Sequence, residues 1–187
     1  SRHHVHLLSG RNTGGGVAYL NTLGSAQKQY AYGVSGNIEG SFSPSNPKVV
    51  WDAVVIAHEL GHAFGSDHTH NYDNPYLGSN QGGAIDCCYS EDSGQCVVQL
   101  GGTYRYGVFP GSNSTFGGSP GVGAGTIMSY CHTLQPGMSN ISFNFGTNHT
   151  RGVNPWRVAN VLQSSAQTYL PLDTTQQNYA LSVTNQG

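Results

Sequence analysis

Apolar and polar positions change their period several times along this chain. His4-Val-His-Leu-Leu-Ser9 reads as a strand, and Gly14-Gly-Gly16 breaks it. Val17–Leu20 reads as a second short strand and Tyr30–Val34 as a third, weakened by Gly33. Ser43-Pro-Ser-Asn-Pro47 reads as a loop. From Lys48 to Phe64 the period becomes helical: Val50, Ala53, Val54, Ala57, Leu60, Gly61 and Phe64 fall on one stripe, and Gly65 is placed to stop the helix. Residues 69 to about 151 show little periodicity. A stretch of that length in a compact domain must be held by something other than backbone ladders, such as disulfides or a metal. A second helix is expected over 156–169, with Asn154 as N-cap, Pro155 at the first helical position and Pro171 as its stop. The pattern predicts an α/β (α+β) domain over residues 1–171, followed by a polar exit segment over 172–187.

Composition narrows the classes of function. The chain has 187 residues and 19.8 kDa, enough for one domain with a sizeable core. Seven Lys and Arg stand against nine Asp and Glu, and a net charge of −2 argues against a nucleic-acid partner. No run of 18 apolar residues exists, so no membrane-spanning helix is expected. Gly, Ser and Asn suit long hydrogen-bonded loops, while 36% hydrophobic residues with 11 Tyr and 6 Phe favour a folded chain over a disordered one. Cys87, Cys88, Cys96 and Cys131 match no zinc-finger spacing. Adjacent Cys87 and Cys88 can hardly bridge each other, which leaves two connectivities: one of the pair to Cys96, the other to Cys131. Two disulfides would place the chain in an oxidising, extracellular compartment. Sequons occur at Asn113, Asn140 and Asn148.

The chemistry concentrates in His58-Glu-Leu-Gly-His-Ala-Phe-Gly-Ser-Asp-His68. Residues four apart share a helix face, so His58 and His62 can turn ring nitrogens to one metal ion, and Glu59 can reach a water bound there. His68 lies ten residues from His58, about 1000° of helix and some 80° off that face. The chain must therefore turn after Phe64, and Gly65 can supply the positive φ. His68 then becomes a third ligand. Three neutral imidazoles leave the fourth position of a tetrahedral zinc site to water, which is a catalytic arrangement.

This stretch resembles the long zinc consensus of the metzincin metalloproteases. Met128, in Gly125-Thr-Ile-Met-Ser-Tyr-Cys131, resembles their methionine turn. Leu7-Leu-Ser-Gly10, Gly16–Leu20 and Tyr32–Ser35 resemble strands of the adamalysin, or reprolysin-like, branch. There are two departures: Thr69 stands where that branch usually has aspartate, and Tyr130 follows the methionine turn as in the astacin and serralysin branches. The resemblance implies a zincin-like fold, a sheet over an active-site helix above an irregular lower part with one C-terminal helix. It implies a secreted zinc endopeptidase in which Glu59 takes a proton from the attacking water and returns it to the leaving amine. Tyr130 would be a swinging fifth ligand or a hydrogen-bond donor to the oxyanion; the competing reading is a tyrosine packed beneath the turn. The partner implied is a protein or peptide substrate, pairing with the edge strand near Val17–Leu20.

The rival from another class is a non-catalytic zinc-binding module used for adhesion, against which the presence of Glu59 argues. Calcium has no support, because Asp67, Asp73, Asp86, Glu91 and Asp92 form no spaced loop motif. His4 and His6, two apart on a strand, share a face opposite His3 and read most simply as exposed strand histidines. His70 and His132 read as surface or hydrogen-bonding residues. The resemblance also implies two strands and a long helix ahead of Leu7. Without them a three-stranded sheet with a helix on one side keeps a bare face, so a separate N-terminal chain or a neighbouring subunit is expected to complete it. The alternative is that the tail, with Leu172, Tyr179, Leu181 and Val183, packs back over that face.

Overall fold

The computed structural model of the chain describes residues 3–23, 28–40, 51–72, 83–89, 125–149 and 151–170. Three strands, β1 (Val5–Leu8), β2 (Gly16–Ala18) and β3 (Tyr32–Ser35), form one sheet in the order β1-β3-β2. β1 runs parallel to β3 and β2 antiparallel to it. Helix α1 (Trp51–Ala63) lies against β2 and β3. Helix α2 (Trp156–Tyr169) closes the lower half. The two strands expected at the N-terminus thus form within a residue or two of their predicted bounds, and the third forms two residues later than predicted. The start of the first helix and the segment 171–187 lie outside the described residues. α2 begins behind Pro155, at φ −65°, while Asn154 takes a left-handed φ of 48°.

Register decides which side of the sheet α1 covers. His6 and Ala18 both pair with Gly33, and Leu8 and Gly16 both pair with Ser35, so these side chains share one face. Gly16 on that face abuts the Glu59 side chain of α1. The opposite face carries Val5, Leu7, Val17 and Tyr32, exposed by 40, 59, 65 and 41%. A contiguous apolar surface of this kind is an interface or a liability. Among the described residues nothing covers it, as expected for a helix on one side only.

Among its described residues the lower half is held by short, specific links. Cys88 is bridged to Cys131, with Cα atoms 4.8 Å apart, and Cys87 is also in a disulfide. This is one of the two connectivities left open by the spacing; Cys96 lies outside the described residues. Val54 of α1 packs with Cys88, Cys131 and Ile141, so the bridge belongs to the core. A second cluster joins Tyr72, Ile85, Met128 and Val158 of α2. Asn140, fully buried, reaches the carbonyls of Cys131, Leu134 and Gln135 with its side-chain amide at 3.1, 2.9 and 3.1 Å. Its sequon is therefore a structural hub and inaccessible to a glycosyl donor. At the other end, the Asp52 carboxylate accepts the N–H groups of Glu39 and Gly40 at 3.0 and 2.8 Å and sits in the first turn of α1, where negative charge is favoured.

Met128 and α1 touch at one point without side-chain volume on the helix. A Cβ on Gly61 would collide with the Met128 sulfur, and Met128 is completely buried. Gly61→Ala is expected to lower stability by about 1–3 kcal/mol through overpacking, measured by urea denaturation; Leu60→Ala, one residue away, does not meet this sulfur.

Candidate metal centre

The end of α1 turns as His68 requires. The Gly65 N–H donates to the His62 carbonyl at 2.8 Å and the Ser66 N–H to the Gly61 carbonyl at 3.0 Å, the pair of bonds of a Schellman cap, with Gly65 at φ 95°. Beyond it Asp67 Oδ1 accepts the His68 N–H at 2.7 Å, and the Thr69 N–H donates to the Met128 carbonyl at 3.1 Å. The cap reverses the chain, and these two bonds hold His68 over the helix.

His58, His62 and His68 each offer a ring nitrogen within 4.8 Å of the others. His58 donates its Nδ1–H to the Ile127 carbonyl at 2.8 Å, and His62 its Nδ1–H to the Ser66 carbonyl at 2.7 Å. Each bond fixes the ring and leaves Nε2 with a free lone pair, as metal-binding imidazoles need. Nε2 of His62 and Nε2 of His68 lie 3.1 Å apart. Two nitrogens on one tetrahedral zinc at 2.0–2.1 Å lie about 3.3 Å apart, so the donor set suits zinc. Burial, with the neighbouring rings adding to it, lowers the His58 pKa to about 3 and pushes His68 down also; burial lowers His62 too. Neutral rings are the metal-binding form. The other nearby cluster, Asp86 with Cys88 and Cys131, cannot ligate through sulfur because the two sulfurs are bonded to each other.

Glu59 follows His58 and points into the same space. It is 4% exposed, and its Oε2 has no hydrogen-bond partner among the described residues. Burial raises its pKa to about 7. The room for this carboxylate comes from Gly16 of β2, where any Cβ would sit 2.5 Å from Glu59 Cγ. Glu59 and His58 line a cleft of about 210 Å³ with Gly14–Gly16 on one side. Trp51, Val54, Tyr89, Tyr130 and His132 line it too. The Trp51 indole is anchored by its N–H to the Gly36 carbonyl at 2.9 Å.

Tyr130 stands beside the triad, its ring centroid 4.3 Å from that of His68 and 5.9 Å from that of His58. It lines the cleft. Of the two neighbouring histidines, His132 fits the hydrogen-bonding reading through the Ser129 backbone, whereas His70 does not fit the surface one. His70 is 3% exposed and stacks on His68 at 5.3 Å, so it is no surface residue. His132 packs edge-on to Trp51 at 5.6 Å in the cleft wall. Asp86 is 1% exposed, and burial raises its pKa to about 6 although it accepts the Cys88 N–H. Tyr89 was invisible as a site residue. It packs edge-on to Tyr130 at 5.0 Å because the Cys88–Cys131 bridge joins the residues next to each. A bridge between Cys88 and Cys131 was the only signal that could have found it.

His68→Ala removes the ligand that only the Schellman turn delivers. Loss of an outer hydrogen-bond partner already costs metal sites 10–100-fold; a lost ligand is expected to cost more than about 100-fold in affinity, read by competition with a chromophoric chelator.

Neither a curated protein nor a solved structure matches the chain significantly. Residues 1–143 match the family described as Reprolysin_5, metallo-peptidase family M12. That span carries the triad, Glu59 and the methionine turn, and the chain belongs to metallo-peptidase family M12.

Proposed function

We propose that the chain is a secreted zinc endopeptidase with Glu59 as the general base. One observation carries this reading: a buried carboxylate with an unpartnered oxygen among the described residues lines a cleft beside His58, one of three converging, neutral imidazoles. His58, His62 and His68 would hold the ion. Zinc, when bound, supplies Lewis acidity toward a carbonyl oxygen and lowers the pKa of water. Glu59 takes a proton from the attacking water and passes it to the leaving amine, and a carboxyl that burial raises to about 7 suits both transfers near neutral pH. Tyr130, whose ring lies beside the triad, would donate its phenol O–H in a hydrogen bond to the developing oxyanion.

Cleavage within extended chains is supported by β2. It pairs with β3 along one edge only among the described residues, and Gly16 opens that edge directly onto Glu59. An extended peptide can add there as a further strand. Secretion is supported by a disulfide built into the core.

Glu59→Gln is expected to keep one zinc per chain and lose about 10²–10⁴-fold in casein hydrolysis, with metal content measured beside activity. Full activity in that variant sinks the mechanism. Zinc retained with no peptidase activity in the parent itself would favour a binding module.

The open sheet face supports a covering polypeptide, a separate N-terminal chain or a neighbouring subunit. Sedimentation of the active protein is expected to give an assembly above 19.8 kDa; a fully active monomer of that mass refutes it.

A further inference from the structure

The helix-facing side of the sheet holds a second imidazole pair that peptide hydrolysis does not use. His4 and His6 lie two residues apart at β1, so both point the same way. Their rings are 5.5 Å apart, and Nε2 of His4 meets Nδ1 of His6 at 3.2 Å. That separation nearly equals the 3.1 Å between the ligand nitrogens of His62 and His68. His6 pairs across the sheet with Gly33. A Cβ on Gly33 would lie 2.7 Å from His6 Nδ1 and 3.0 Å from His4 Nε2. The missing side chain is thus what lets the two nitrogens converge over the backbone. The far nitrogen of His6, Nε2, is held by the Ser35 hydroxyl at 2.8 Å, the outer hydrogen bond that orients a metal-binding imidazole.

We propose that His4 and His6 form a second metal site, taking a divalent zinc-class cation through His4 Nε2 and His6 Nδ1. Both rings are half-buried, so water can fill the remaining coordination positions and the ion can exchange. Burial lowers both pKa values, which keeps the rings neutral and their lone pairs available. Without metal the two nitrogens share one proton. Metal binding moves that proton to His4 Nδ1, a buried atom with no partner among the described residues. Two ligands in place of three, and this displaced proton, make the site weaker than the His58 centre. His3 is exposed, whereas His4 and His6 are half-buried, and it takes no part.

Equilibrium dialysis against zinc, with the full chain, tests the assignment. The parent is expected to bind two zinc ions, the second with the lower affinity and the first to leave as chelator is added. His6→Ala and His4→Gln are each expected to bind one ion and keep peptidase activity, while His3→Ala still binds two. A His58→Ala/His62→Ala variant is expected to lose the tight ion and activity yet keep the weaker one, so this proposal and the peptidase reading fail separately. One zinc in the parent throughout the titration, or two in both His6→Ala and His4→Gln, overturns the proposal.

Discussion

Three uncharged imidazoles crowded into one buried space are the constraint on which the rest of the molecule depends. Nitrogens 3.1 Å apart with facing lone pairs repel unless a cation or a proton lies between them. The surroundings must therefore supply the order that the triad does not supply for itself. The Ile127 carbonyl orients His58, the Ser66 carbonyl orients His62, and Asp67 with the Met128 carbonyl holds the strand of chain that carries His68. Two of these four anchors come from the turn around Met128. That turn is pinned in place by the Cys88–Cys131 bridge and by the contact of Met128 with Gly61.

Glycine has two separate tasks at this centre. Gly65 bends the backbone, since φ 95° is a conformation that side chains resist. Gly16 and Gly61 make room: one for the Glu59 carboxylate, the other for the Met128 sulfur. A base raised to about 7 by burial needs a neighbour that adds neither charge nor bulk, and a backbone with no side chain meets that need.

The irregular lower half shows how a chain poor in charge keeps a fold. Asn140 satisfies three carbonyls, Asp86 accepts the N–H of Cys88, and the disulfide joins them to Val54 of α1. Hydrogen bonds of this kind contribute about 0.5–1.5 kcal/mol each, and leaving such buried groups unpaired costs more. Among the described residues these links take over the role that strand ladders play elsewhere.

The triad, Glu59 beside it and the turning glycine were legible in the sequence because they are local: offsets of four and six residues on or just past one helix dictate which atoms can meet. The helices and strands were legible for the same reason, to within a few residues. So was the bare sheet face, which follows from three strands and one helix. What the sequence left open depended on distance. Cys88 and not Cys87 bridges to Cys131 because the tertiary path across 43 residues sets their approach. Tyr89 came beside Tyr130 through that bridge, and the burial of His70 and Asp86 had no periodic or spaced pattern to announce it. Asn140, noted in the sequence only as part of a sequon, is a buried clamp. Local spacing is written along the chain, whereas burial is decided by which distant segments close over a residue.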